Sequence, residues 1–206
     1  MFTIELNVRE ELPLKRLEGS QTAANLARAF AGESQARNRY TFYASVARKE
    51  GHANLAAVFV EIAENERAHA RAFFDLIIEG LGNVNAHVDA GYPFALGNTS
   101  ENLQYAADGE KEEWTEVYPS FADIAKNEGF PEVEFIFRKI AVIEKDHEAQ
   151  FRGYKNKLDG QMLYKAGQNV VWRCSNCGHI HEGPEALQVC PVCKHPQGYF
   201  EIKKNA

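Results

Sequence analysis

Glu66-Arg67-Ala68-His69 and Glu144-Lys145-Asp146-His147 are one pattern, Glu-x-x-His, written twice, and each copy falls where a helix should be apolar. Around the first copy a stripe at helical spacing runs through Leu55, Val58, Phe59 and Ile62 and resumes at Phe73, Leu76 and Ile77, with Glu66 and His69 filling the gap. Around the second, Val133, Phe137 and Ile140 lead into Glu144 and His147 before Phe151 and Leu158. Two further stripes do the same. Leu26 and Phe30 precede Glu33 and then Tyr40; Leu103 and Ala106 precede Glu110 and Glu113, followed by Val117, Phe121 and Ile124.

A lone Glu-x-x-His is an ordinary surface pattern, and glutamates within helices are usually solvated. Four apolar stripes each interrupted by acid are a different matter, because desolvating an unpaired carboxylate either costs several kcal/mol or neutralises it. Five such carboxylates at one level require cations. Glu61, Glu64, Glu112, Glu116 and Glu148 lie off the stripes and read as surface charges.

Breakers are few between Ser20 and Lys157: Gly51, the stretch from Gly80 to Asn98, and Gly129-Phe130-Pro131. They predict four helices near 20–49, 53–80, 99–127 and 131–158, with the long middle connection acting as a crossover. Pro119 should kink or loosen the third helix just after Tyr118. Glu33 and Glu66 are 33 residues apart and Glu110 and Glu144 are 34 apart, which implies two helical hairpins related by an internal pseudo-twofold. A glutamate from one helix of each hairpin and Glu-x-x-His from the other is the arrangement of two-metal carboxylate bundles, and its oxygen-rich donor set suits iron or manganese. Glu113 is left over from the symmetric set.

After Gly160 the character changes, and all four cysteines appear in two Cys-x-x-Cys pairs, Cys174/Cys177 and Cys190/Cys193. They can supply a tetrahedral set of thiolates. The spacing alone fits zinc or a single iron and favours zinc; a redox-active bundle on the same chain favours iron, since zinc carries no electron. Trp172, Tyr199 and Phe200 would form the small core of this tail, while His87, His179, His181 and His195 read as loop histidines.

The chain has 206 residues, 45% hydrophobic and 25% charged, with a net charge of -6, which suits one good core plus a small appendage. It has no long basic or acidic block of the kind a nucleic-acid binder carries, no signal-type segment, and no run near the ~18 apolar residues of a membrane span. A cytoplasmic protein without nucleic-acid or membrane partners is expected.

From about Leu14 to Ile202 the sequence resembles the rubrerythrins, with these motifs in the family's order: Ala31-Gly32-Glu33-Ser34-Gln35-Ala36-Arg37-Asn38-Arg39-Tyr40, the two Glu-x-x-His pairs, Tyr118-Pro119-Ser120-Phe121, and the closing cysteine pairs. The resemblance implies a mainly α fold: a ferritin-like four-helix bundle over 1–165, including a short N-terminal extension before Leu14, and a rubredoxin-like domain over 166–206. It implies three Fe per chain. Two are held by Glu33, Glu66, His69, Glu110, Glu113, Glu144 and His147, and one by Cys174, Cys177, Cys190 and Cys193. One metal is expected to exchange Glu113 for His69 as its oxidation state changes, with Tyr40 and Tyr118 donating hydrogen bonds to ligand carboxylates.

It further implies a peroxidase that reduces hydrogen peroxide to water in oxidative-stress protection. A rubredoxin and an NAD(P)H-dependent reductase would supply its electrons, and a head-to-tail homodimer or higher homo-oligomer is implied. The alternative is a ferritin-like ferroxidase whose cysteines hold zinc. A scaffold protein with a zinc ribbon would leave the buried glutamates unexplained.

Overall fold

The computed structural model describes residues 17–203; the extension before Leu14 lies outside the described residues. Helices α1 (Gln21–Lys49) and α2 (Ala53–Leu81) form one hairpin. The second pairs α5 (Pro131–Asp159) with a composite of α3 (Thr99–Glu112), a π-turn at Glu113–Val117, and α4 (Tyr118–Glu128).

Local chemistry sets the ends. The Ser20 side chain accepts from the Ala23 N–H, and Asn98 forms a reciprocal capping box with Glu101. Gly129, at φ 80° and ψ 38°, closes α4 in the left-handed conformation, and Pro131 starts α5 where its missing N–H costs nothing.

The third expected helix is therefore interrupted, and the interruption falls before Tyr118 rather than after it. Proline cannot donate to the carbonyl four residues back, and its ring crowds that carbonyl. The wider turn ahead of Pro119 relieves this: the Tyr118 N–H bonds to the Glu113 carbonyl, five residues back.

The crossover runs over α1. Arg28 Nε donates to the Asp89 carbonyl at 3.0 Å, the Tyr92 hydroxyl to the Arg28 carbonyl at 2.7 Å, and the Tyr43 hydroxyl to the Ala95 carbonyl at 2.9 Å.

The bundle core comes in two pieces. One gathers Tyr40, Tyr43, Leu55, Phe59, Ile62, Leu103 and Phe151; the other gathers Leu26, Phe73, Ile77, Tyr118, Val133, Phe137 and Ile140. On each long helix the acidic residues fall between the two pieces, so they form a polar layer across the bundle. Phe30 does not join the core as its stripe suggests. It is 37% exposed and packs on Phe74 at 5.9 Å, because the inner face of α1 is carried by Leu26, Ala29, Ala36 and Tyr40, whose alanines let α2 approach closely.

The tail is a three-stranded antiparallel sheet in the order β2-β1-β3, with β1 at Lys165–Cys174, β2 at Ile180–Glu185 and β3 at Phe200–Ile202. Trp172, Ala186 and Phe200 pack with Cys174 and Cys190, and the Trp172 indole donates to the Gly183 carbonyl at 3.1 Å. Tyr199 is only partly buried there.

The tail rests on the turn between α1 and α2. Ser175 donates to Asn54 at 2.7 Å, and His52 Nδ1 lies 2.8 Å from the Tyr164 hydroxyl. A Cβ on Gly198 would sit 1.7 Å from the Gly51 carbonyl oxygen. Gly198→Ala is therefore expected to lift the tail off this turn without emptying its cysteine site, detectable as faster amide exchange at residues 50–54 with the metal content unchanged. No helix among the described residues is long and apolar enough to cross a membrane.

Candidate metal centres

The polar layer brings Glu33, Glu66, His69, Glu110, Glu144 and His147 together, one or two from each long helix, all at most 8% exposed. Their ligand atoms fall into two overlapping groups, Glu33/Glu66/His69/Glu144 and Glu66/Glu110/Glu144/His147, each within 4.8 Å. Glu66 and Glu144 belong to both. His69 Nδ1 lies 2.9 Å from Glu66 and 2.9 Å from Glu144, and His147 Nδ1 lies 3.2 Å and 2.8 Å from the same pair. The two imidazoles stack at 5.9 Å, so a two-fold arrangement of donors surrounds a shared centre.

These donors fit metal ions and little else. Both carboxylate oxygens of Glu66 and of Glu144, one of Glu110, and Nδ1 of both histidines are buried and, although the histidine nitrogens lie at ion-pair distance from the carboxylates, none makes a hydrogen bond of good geometry. Buried polar atoms are nearly always satisfied, and seven convergent exceptions in one layer are what cations would satisfy.

The electrostatics agree. Burial, then the neighbouring Glu144, pushes the Glu33 carboxyl up to about 8, and burial with the surrounding carboxylates raises Glu110 and Glu113 well above the usual range. Burial disfavours charge on the His69 and His147 imidazoles, yet the carboxylates around them raise both, His147 to about 12. Without metal the layer balances its charge by holding protons, which metal ions must displace.

Tyr118 donates its hydroxyl hydrogen bond to Glu33, and Tyr40 donates to Glu110 at 2.5 Å, so each hairpin has its outer carboxylate oriented by a buried tyrosine of the bundle. Asn65 was not anticipated. Its side-chain amide lies 3.3 Å from His147 Nε2. With Nδ1 as ligand, Nε2 carries the proton and the amide oxygen is the group that should face it. Only its place beside Glu66 could have signalled this.

Glu113 is in neither donor group. It opens the π-turn, half-buried, and lines a cavity beside the layer while His69 occupies the layer itself. Glu148 also departs from the surface reading: it accepts from the Trp114 indole at 2.6 Å and from Arg152 at 2.6 Å, and its side chain is 14% exposed. Glu61, Glu64, Glu112 and Glu116 are exposed as expected.

The four cysteines converge at the other end of the molecule. Cys174 and Cys193 sulfurs are 3.7 Å apart and those of Cys177 and Cys190 3.6 Å, close to the ~3.8 Å edge of a tetrahedron with ~2.3 Å metal–sulfur bonds and far from a ~2.05 Å disulfide. A backbone N–H of His195 helps hold the Cys193 thiol down to about 5, the thiolate form a metal needs. None of His87, His179, His181 or His195 joins a candidate metal group among the described residues.

The rubrerythrin family model matches residues 24–155, across the bundle, and the model of the rubrerythrin rubredoxin-like domain matches 172–201. The chain belongs to the rubrerythrin family. Rubrerythrin-1 of Clostridium acetobutylicum is 49% identical over 92% of this chain and 97% of its own, and the rubrerythrin of Porphyromonas gingivalis is 45% identical over 93% and 94%. Nigerythrin, solved in a mixed-valence state, is 27% identical over 95% of this chain and 96% of its own, with a TM-score of 0.62. The bacterioferritin BfrA of Mycobacterium tuberculosis, 16% identical over 68% of this chain and 86% of its own, with a TM-score of 0.59, shows the ferritin-like fold alone. The chain, a member of an oxidoreductase-type family, thus carries two metal-binding groups, a carboxylate-histidine cluster and a four-cysteine set.

Proposed function

We propose that this chain is a peroxidase that reduces hydrogen peroxide to water, with Glu33, Glu66, His69, Glu110, Glu113, Glu144 and His147 holding two irons and Cys174, Cys177, Cys190 and Cys193 a third. The observation that supports this best is the pairing, on one chain, of a layer of unsatisfied buried donors with a separate tetrahedral set of thiols. Iron bound at both would supply the redox chemistry: two electrons from the cluster for H2O2 + 2 H+ + 2 e- → 2 H2O, replaced one at a time through the thiolates.

The protein's own residues do the rest. Glu66 and Glu144, shared by both donor groups, set the separation of the two positions. The Tyr40 and Tyr118 hydroxyls keep Glu110 and Glu33 from turning away, and the two core pieces exclude bulk water above and below. Glu113, held in the cavity wall by the π-turn, and His69, in the layer, are the two residues that would alternate in holding one of the metals. In the cell the reaction would run in the cytoplasm as part of oxidative-stress protection, with electrons from rubredoxin and an NAD(P)H-dependent reductase. A head-to-tail homodimer would bring one subunit's thiolates near its partner's cluster.

Rapid mixing of the anaerobically reduced protein with peroxide or with oxygen, following the ferric-thiolate absorption, tests this. Fast return of colour with peroxide and slow return with oxygen is expected; no visible band would place zinc at the cysteines, and a faster oxygen reaction would make the protein a ferroxidase. Glu113→Ala is expected to slow the peroxide reaction by about ten-fold or more while iron content stays near that of the unmodified protein, because the layer's other donors remain. Unchanged turnover by this variant would remove Glu113 from the mechanism.

A further inference from the structure

Between α1, the crossover and the π-turn lies a cavity of about 180 Å³, whose wall includes Arg28, Arg39, Tyr92, Glu113 and Tyr118. Glu113 and Tyr118 place it against the polar layer, since Tyr118 donates to Glu33. Two of the wall residues are already engaged: the Tyr92 hydroxyl donates to the Arg28 carbonyl, and Arg28 donates to the Asp89 carbonyl and to Asn25.

Arg39 is engaged only in part. Its side chain is nearly enclosed, with the residue 9% exposed; its Nε donates to Gln35 at 2.6 Å and its guanidinium lies 5.6 Å from the centre of the Tyr40 ring. Among the described residues its buried Nη1 reaches no acceptor. A guanidinium withdrawn from water with idle donors destabilises the fold, and a ligand that accepts from it would offset that cost. On the same wall stands Glu113, half-buried, whose carboxyl oxygens can act as acceptors. The molecule that suits an idle donor and an acceptor across a small cavity is one that does both. Hydrogen peroxide offers oxygen lone pairs to the guanidinium and two O–H groups to the carboxylate, whereas dioxygen has no proton to give and is a feeble acceptor.

We infer that this cavity is the vestibule by which hydrogen peroxide reaches the layer and that Arg39 is the positioning residue that receives it, an inference that rests on the peroxidase reading. Arg39 would then favour peroxide over oxygen before either meets the cluster.

The test compares Arg39→Leu and Arg39→Lys with the unmodified holoprotein in three measurements: the second-order rate with peroxide, the rate with oxygen, and the melting temperature. In Arg39→Leu the peroxide rate at low concentration is expected to fall about 10- to 100-fold, with the oxygen rate unchanged and the melting temperature equal or higher. Arg39→Lys should recover part of the peroxide rate. If the unmodified protein prefers peroxide and Arg39→Leu keeps that preference, the vestibule is wrong and the peroxidase reading stands. Equal losses with peroxide and oxygen, together with a lower melting temperature, would make Arg39 a packing residue. No preference for peroxide in the unmodified protein would overturn both readings.

Discussion

Changing Cys174 and Cys177 together to serine is expected to lower steady-state peroxide turnover by about 100-fold or more while the first oxidation of the chemically reduced cluster keeps its normal rate. The tail cannot fold on apolar packing alone: its buried core is Trp172, Ala186 and Phe200 plus two of the cysteines themselves. In domains this small, metal binding supplies much of the folding free energy, with apparent values of about 10–16 kcal/mol for structural zinc. Losing two thiolates therefore unfolds β1 to β3 as well as removing the one-electron site. The bundle's core pieces contain no tail residue, so its melting should change little. The check is single-turnover and steady-state kinetics on one preparation, with amide exchange over 165–202. Sustained turnover with an unfolded tail would show that electrons reach the cluster by another route.

The second large effect comes from Glu144, which belongs to both donor groups and is fully buried. Glu144→Leu should leave both positions short of a donor, so that iron content falls towards the tail's single ion and peroxide reactivity drops more than about 100-fold, beyond the 10–100-fold typical of residues that only support a ligand. The effect on stability should differ in size between the two forms. In the metal-free protein Glu144 lies 2.9 Å from His69 Nδ1 and 2.8 Å from His147 Nδ1, so its loss leaves two buried imidazoles short of a counter-charge and lowers the melting temperature. In the iron-loaded protein the same change also loses metal-binding energy and lowers the melting temperature further. Calorimetry of both forms decides the matter. An equal fall in the two forms would make Glu144 a structural residue alone.

The fold was legible because four long stripes with few breakers leave little choice, and the ends of α1, α2 and α5 fall within a residue of the reading. The layer was legible because a buried carboxylate is expensive and therefore conspicuous. Positions that depend on small rotations about a helix axis were not. Phe30 and Glu113 each lie at the margin of a stripe, and whether a margin faces inward depends on how closely the neighbouring helix packs and on whether the helix is regular. The stripe of α1 is filled by alanines, so Phe30 is left outside; the π-turn turns Glu113 towards the cavity. Glu148 looked solvated because nothing in the pattern announces that Trp114 and Arg152 will cover it. Arg39 and Asn65 gave no periodic signal, since each matters through what it faces across the bundle.

The π-turn also bears on the symmetry of the two hairpins. An i to i-5 hydrogen bond encloses one residue more than the α-helical bond. Helices α1, α2 and α5 each have 29 residues, whereas the composite from Thr99 to Glu128 is one longer, and the Glu110–Glu144 interval exceeds Glu33–Glu66 by the same single residue. The turn before α5 is one residue shorter than the turn before α2, so the two hairpins keep equal overall length. The extra helical residue falls where the seventh donor, Glu113, opens the widened turn. One residue moved from a turn into a helix accounts for both the break in the helix and the asymmetry of the site.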